Sequence, residues 1–491
     1  MMLCLLLVGV PALAGALAFA LRAAFPRRAL LVCAALAHAG LTAWAWLAKP
    51  VVAPDAWLGL DATALWFVTI TSVLFLTASI YAIGYLRRDA ATRSHEDEDD
   101  PDEASFFQPV PEAVFCGCLL LFLAAMTLTI MSRHFGLLWV AMEATTLASA
   151  PLIYFHRSPR SLEATWKYLL ICSVGIALAL LGTFFLAAAA GEGAELTLGG
   201  LTRGAAKLDP RWLKAAALLL LVGYGTKMGL APLHAWLPDA HSEAPSVVSA
   251  LLSGTLLNAA WVGVLRIHEL CVAAGLGDFS RDLLLLFGMV SLAVAALFII
   301  GQRDYKRLLA YSSVEHMGLL ALGMGIGGAA VTGSLLHAAG HSLAKGLLFL
   351  TAGNLLAAFR SKKVADVRGA LTVTPASGAL LLVGLFAITG APPFITFVSE
   401  LMIVRAALAD GRWLVATLYL VLLSIVFIGM AAIFLRMALG APSKDTRKTE
   451  SRLAWWPPLV LAILAGVLGV FLPGPLTDLL REAAKTFGGV P

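Results

Sequence analysis

The sequence predicts an all-α polytopic membrane protein, and three observations carry that prediction. Hydrophobic residues make up 60% of the 491 positions and charged residues only 13%, against about a quarter charged in an average soluble domain. The apolar residues gather into about fourteen stretches of the length, roughly 20 residues, that a helix needs to cross a bilayer. No short segments of alternating polarity appear, as a membrane barrel would require. A soluble enzyme, a disulfide-stapled secreted domain and a disordered chain are excluded at this level. The net charge of +5 does not point to nucleic acid, because most of it lies in short loops between apolar runs.

In chain order the expected spans are 2–22, 29–48, 60–86, 112–131, 135–155, 162–190, 212–230 with a continuation to 245, and 246–268. They continue as 282–300, 305–326, 330–358, 371–408 with an interruption, 412–437 and 455–472. The first lacks a basic leader and a cleavage site and reads as a retained span rather than a signal peptide. Alternate loops beginning with Arg22, Arg27 and Arg28 collect most of the lysine and arginine, which puts that set in the cytoplasm and both termini outside. The acidic run His95–Glu103 falls in this cytoplasmic set and reads as a solvated charge block. Cys116 and Cys118 form a C-x-C without the second pair a metal or cluster site needs, and read as small core residues.

Two spans carry internal breaks. Gly225, Gly229 and Pro232 interrupt the seventh, with Pro238 and Pro245 following, and Gly390-Ala391-Pro392-Pro393 interrupts the twelfth. Proline removes a backbone donor and clashes with the turn before it. Interrupted helices at corresponding places in two halves mark repeat-built transporters. The organisation expected is therefore N-terminal helices 1–86, an acidic loop 87–111, a first repeat 112–268, a second repeat 282–437, and a C-terminal helix and tail 438–491.

A charge in the bilayer interior costs roughly 3 to more than 10 kcal/mol, so the charges inside these spans carry the functional argument. Glu143 lies mid-span in LLWVAMEATTLASAP, and Lys227 lies five residues before Pro232. Neither has an opposite charge close by in its own helix, so the simplest partner for each is the other. A static ion pair is the bland alternative. His337, His341 and Lys345 recur every four residues and share one helix face. Two imidazoles that titrate near neutrality and a buried amine suit a proton relay. A metal at the two histidines is the rival, opposed by the Lys345 cation on the same face. Glu400 follows the second break by seven residues; it either neutralises Arg405 or ends a proton path. His234, Asp239 and His241, just past the first break, suit the polar lining of a channel mouth. Lys167 follows Glu163 by four and reads as a surface pair. Asp304, Lys306 and Arg307 sit in a connection that can hold the two halves together.

The segments TKMGLAPLHAWLPDAHSEAPSVVSALLSG and QRDYKRLLAYSSVEHMG, with Glu143 and the Glu400 segment, resemble the antiporter-like proton-translocating membrane subunits of respiratory complex I (NADH:quinone oxidoreductase). The same family includes Mrp antiporter subunits and the large membrane subunits of energy-converting hydrogenases. The resemblance spans roughly residues 60 to 440. SPRSLEATWKYLLICSVGIALALLGTFF is similar to the membrane component F of formate-hydrogenlyase-type nickel–iron hydrogenases.

The resemblance implies fourteen helices in two inverted five-helix repeats, each with a broken helix. It further implies a Glu–Lys pair matched by Glu143 and Lys227, a central line matched by His337, His341 and Lys345, and an exit group at Glu400. Where many relatives carry a lysine on the eighth helix this chain has Asn258, expected to line the channel with His234, Asp239 and His241; it cannot carry a proton charge, so either Lys345 or water takes over that step or conduction is impaired. The chain also stops short of the long lateral helix found in one of the complex I proteins.

The function expected is a proton-translocating membrane subunit of a redox-driven complex in the cytoplasmic (inner) membrane of a prokaryote. No cofactor or metal is expected in this chain, since it holds no dinucleotide fingerprint, cluster-spaced cysteines or haem motif. Nickel–iron and iron–sulfur centres would sit in partners: other membrane subunits and a peripheral redox arm. The alternatives are a subunit of a cation/proton antiporter, a membrane partner in inorganic-carbon uptake, and a non-conducting structural subunit.

Overall fold

The computed structural model describes residues 1–99, 111–442 and 450–489, with the backbone alone for 89–99. Each of the fourteen expected stretches is helical. Among the described residues, eleven helices are long and apolar enough to cross a membrane. The other three stretches are the two interrupted ones and Tyr305–Ile326, which carries Glu315 and His316 in mid-helix.

Several boundaries differ from the expected ones. The third helix runs Ala62–Asp99, well past 86, so the segment expected as a loop begins as a helical extension. The acidic run His95–Glu103 has only its first five residues in that extension; its side chains, and residues 100–103, lie outside the described residues. The seventh span is interrupted where expected: Pro210–Met228 ends, and Trp236–Glu243 starts afresh. The eighth, Ser246–Ala273, contains a wider π turn at Leu252–Leu256. The C-terminal tail contains a further helix, Gly474–Thr486, with Leu479, Leu480, Ala483 and Ala484 buried beneath a charged outer face. Its periodicity is that of a helix lying along a surface rather than crossing one.

Burial sorts the helices by position. Ser246–Ala273 is buried along its whole hydrophobic stretch, whereas Trp413–Ala438 is buried over only 28% of it. The first lies in the core of the bundle and the second on its outer surface. Cys116 and Cys118 are both buried in Glu112–Met131 with free thiols.

Lipid gives packed apolar helices no hydrophobic drive, so close approach depends on small residues. Pro159–Ala190 and Pro210–Met228 meet across Gly175 and Gly223: a Cβ on Gly223 would sit 2.6 Å from the Gly175 carbonyl and 2.7 Å from the Ala179 nitrogen. Gly277–Ile299 and Tyr305–Ile326 repeat the device, with a Cβ on Gly288 falling 2.8 Å from the Gly318 carbonyl.

The breaks are satisfied by protein, as unwound backbone at membrane depth must be. At the first, Gly229 takes a left-handed conformation and the Leu230 N–H donates to the Gly225 carbonyl at 2.9 Å. Ala231 N–H donates to Ser291 Oγ at 2.9 Å, and Trp236 Nε1 reaches back to the Thr226 carbonyl at 2.9 Å. At the second, Gly390 is left-handed, and Thr396 Oγ1 reaches back to the Ala387 carbonyl at 2.6 Å. In each case a side chain beyond the break caps a carbonyl before it. The Ala231-Pro232 and Pro392-Pro393 peptide bonds are both cis.

A bulky residue at the first glycine crossing cannot be accommodated without parting two backbones. Gly223→Leu is expected to destabilise the protein by roughly 2 kcal/mol or more, read as a lower thermal midpoint in detergent. Gly40→Leu, where an added Cβ meets nothing within 4 Å, is expected to change nothing. Equal midpoints for the two variants would refute the close-packed crossing.

Candidate proton-relay site

Lys227 is 0% exposed, at the C-terminal turn of Pro210–Met228 just before the first break. The Gly175–Gly223 crossing brings it against Pro159–Ala190, where Nζ donates to Tyr168 Oη at 2.6 Å and lies 4.4 Å from the centre of that ring. Nζ also donates to Thr146 Oγ1 at 2.8 Å. Thr146 in turn donates to Glu143 Oε2 at 3.2 Å, one turn back on Phe135–Ile153. The expected direct pairing is therefore corrected. Glu143 and Lys227 do not touch; a threonine hydroxyl stands between them, accepting from the amine and donating to the carboxylate. Tyr168 Oη shares a further hydrogen bond of 2.6 Å with Ser149 Oγ. A hydroxyl that can accept and donate at once is the group needed to pass a proton between a carboxylate and an amine.

Beyond Lys227 the lining turns aromatic. The Trp236 ring lies 5.0 Å from Tyr168 and 6.0 Å from His241. His241 is fully buried, with Nδ1 on the Leu237 carbonyl at 2.9 Å and Nε2 without a protein partner among the described residues. It stands within electrostatic reach of Lys345. Of the three residues expected to line a channel mouth, His241 thus faces the interior between the two halves. His234 is half-buried, with its ring 6.1 Å from Tyr311. Asp239 is taken up by ion pairs, to Arg307 and, at 2.9 Å, to Lys167. Lys167 also holds Glu163 at 2.6 Å.

The face of Ala329–Phe359 carrying His337, His341 and Lys345 is wholly buried. Lys345 Nζ donates to the Leu309 carbonyl at 2.7 Å and to Ser312 Oγ. His341 Nε2 lies 3.2 Å from the Ser253 carbonyl, in the π turn, where a widened helix leaves a carbonyl free to accept. His337 Nε2 shares a 2.8 Å hydrogen bond with His316 Nδ1, and its Nδ1 lies 2.9 Å from Ser399 Oγ.

Two residues on Tyr305–Ile326 complete the arrangement, and reading charges span by span missed both. The His316 ring sits 4.9 Å from His337 and 5.1 Å from His341, joining two histidines a full turn apart. Glu315 is buried within electrostatic reach of Lys345 on one side and Glu400 on the other. The signal was present in the sequence: adjacent Glu and His halfway along an apolar stretch, the same test that singled out Glu143.

Glu400 does not pair with Arg405. Its carboxylate lies directly over the Cα of Gly390, where any Cβ would collide with it, so the second break makes room for the acid. One ligand atom each from His316, His337 and Glu400 lies within 4.8 Å of the others. That spacing would admit a metal; in this structure a hydrogen bond joins the two imidazoles.

Asn258, 1% exposed, faces this assembly from Ser246–Ala273. Nδ2 donates to Ser342 Oγ at 2.7 Å and to the Gly254 carbonyl at 3.1 Å. Its Oδ1, His341 Nδ1 and Glu315 Oε2 are buried without a protein partner among the described residues, as is His241 Nε2. Sixteen such atoms occur among the described residues, and these four belong to side chains on or facing the helix that carries His341 and Lys345.

Comparisons with known proteins agree with this architecture. The family model described as NADH:quinone oxidoreductase/Mrp antiporter, transmembrane, matches residues 132–427. A hydrogenase-4 component F homolog of Methylacidiphilum infernorum is 35% identical over 443 residues, 88% of this chain and 89% of that protein. NADH-quinone oxidoreductase subunit N of Deinococcus radiodurans is 31% identical over 350 residues, 69% of this chain and 68% of that one. Among solved structures, a chain of an archaeal membrane-bound sulfane sulfur reductase superposes with a TM-score of 0.85 at 22% identity, covering 100% of this chain and 98% of that one.

Proposed function

The chain belongs to the NADH:quinone oxidoreductase/Mrp antiporter transmembrane family, and from that premise we propose that it is a proton-translocating membrane subunit of a redox-driven complex of hydrogenase or complex I type. One observation carries the reading: a file of protonatable side chains, most of them fully buried and drawn from several separate helices, crosses the interior of an apolar bundle. Packing alone would be better served by apolar residues.

In the proposed cycle Glu143 loads a proton, the Thr146 hydroxyl passes it, and Lys227 holds it. Water beside Trp236 carries it to His241 and Lys345, with Glu315 as the counter-charge. It then runs through His341, His316 and His337 to Glu400. A conformational change imposed by a partner breaks the Thr146 contact and so separates loading from release. Electrons stay outside this chain, in nickel–iron and iron–sulfur centres of a peripheral arm. The name of the 35%-identical relative favours the hydrogenase branch. We further propose fourteen crossings arranged as inverted repeats over 112–268 and 282–437, with both termini outside the inner membrane of a prokaryote. Sodium/proton exchange is the competing activity, and it would appear as a requirement for sodium.

The test is substrate-driven proton uptake into inverted vesicles carrying the intact complex. Glu143→Gln and Lys227→Ala are each expected to abolish uptake with assembly intact. Full uptake in a double variant with apolar residues at both positions would overturn the relay.

Thr146→Val keeps the shape and removes the bridge, leaving a buried amine one partner short, at about 1–3 kcal/mol. Uptake is expected to fall about tenfold or more, while Thr146→Ser stays near the parent. Equal rates in the two would show that the hydroxyl does not conduct.

Lys345→Ala is expected to stop uptake, and adding Asn258→Lys to restore part of it, since a lysine there extends toward Ser342 on the same helix face. If Lys345→Ala pumps normally, the path does not run through Lys345.

A further inference from the structure

Outside the relay, one surface of the molecule combines two chemistries that only one kind of membrane component offers together. A groove of about 860 Å³ runs between the connection that follows Gly277–Ile299, the segment at 363–365 and the helix Trp413–Ala438. Its floor is aliphatic, with Ile300 60% and Ile428 66% exposed. Arg303, Lys363 and Arg436 also line the groove. All three are exposed, and among the described residues none has a carboxylate partner. Nearby cations behave differently: Arg307 is held by Asp239, and Lys362 by Glu243 at 2.7 Å. Three cations unpaired among the described residues, lining an apolar groove on an outward-facing helix of spanning length, match an anionic headgroup above an acyl chain.

We propose that this groove binds an anionic glycerophospholipid, its phosphate between Arg303, Lys363 and Arg436 and one acyl chain along the isoleucine face of Trp413–Ala438. The site is independent of the proton path and lies wholly within the second half, next in sequence to the contacts that join it to the first. The Val364 N–H donates to the Arg303 carbonyl at 2.8 Å, tying the two cationic segments together. The next residues along, Asp304, Lys306 and Arg307, grip the helix beyond the first break. A phosphate seated here draws Arg303 and Lys363 together and braces the contacts next to them.

The experiment is native mass spectrometry of the full chain released from nanodiscs made of equal parts phosphatidylglycerol and phosphatidylcholine. The expected result is retention of phosphatidylglycerol over phosphatidylcholine by about fivefold or more. The preference should vanish in Arg303→Gln/Lys363→Gln/Arg436→Gln and fall in Arg436→Gln alone. Phosphatidylglycerol should also raise the thermal midpoint of the parent more than that of Arg436→Gln, a comparison that holds even if the triple variant does not fold. Equal retention of both lipids by the parent would overturn the site. So would a preference, or a thermal shift, that the substitutions leave unchanged, because the lipid would then be reading only the general basic charge of that surface.

Discussion

An ammonium group buried with no carboxylate at hydrogen-bonding distance is the constraint on which the first half of this structure is built. Lys227 donates to hydroxyls, and they come from two other helices, Thr146 on one and Tyr168 on the other. Holding three helices at that spacing needs backbones in near contact, which Gly175 and Gly223 supply. Ending the lysine's own helix immediately afterwards needs the left-handed Gly229. Removing any of these strips the amine of partners, and a partnerless buried charge is among the most expensive errors a fold can make.

The second constraint is mechanical. The connection at Asp304 joins the two halves, and Asp304, Lys306 and Arg307 all reach back to the helix beyond the first break. Asp304 accepts from Ser242 Oγ at 2.8 Å while its other oxygen caps its own helix, taking the Lys306 N–H at 2.8 Å. Lys306 Nζ donates to the Ala244 carbonyl, and Arg307 holds Asp239. Tyr305–Ile326 also carries Ser312 and His316, so the helix tied to the first break is the one that holds partners of Lys345 and His337. The ion pairs are thus placed to transmit movement; in this setting their contribution to stability is the lesser matter.

Asn258 puts a neutral amide at the centre of the bundle. Its amide bonds to Ser342, on the helix that carries Lys345, and to the Gly254 carbonyl at the π turn. Lys345 is therefore the lysine of the central region, and it donates to the Leu309 carbonyl and to Ser312 Oγ. A neutral side chain facing a charged one avoids the repulsion two lysines would suffer at this depth.

Local pattern was enough to read much of this from the chain alone. Hydropathy marks the helical stretches because a bilayer filters on composition over about 20 residues. Glycine and proline mark both breaks because their effects on the backbone are intrinsic, and four-residue spacing puts His337, His341 and Lys345 on one face because the helix repeat is universal. What pattern could not supply was any partner arriving from another helix. The threonine between Glu143 and Lys227, the tyrosine beneath the lysine, and the bridging of two histidines by His316 all depend on how helices cross. So does the diversion of Asp239 from a channel mouth into ion pairs. The C-terminal helix Gly474–Thr486 also went unread, because its apolar face is too narrow for a test tuned to spanning segments. Sequence periodicity determines which face of a helix is buried. Which hydroxyl, acid or imidazole it meets there was decided only by the glycine-level closeness of the packed bundle, since a hydrogen bond requires about 3 Å and no one-dimensional pattern encodes that distance.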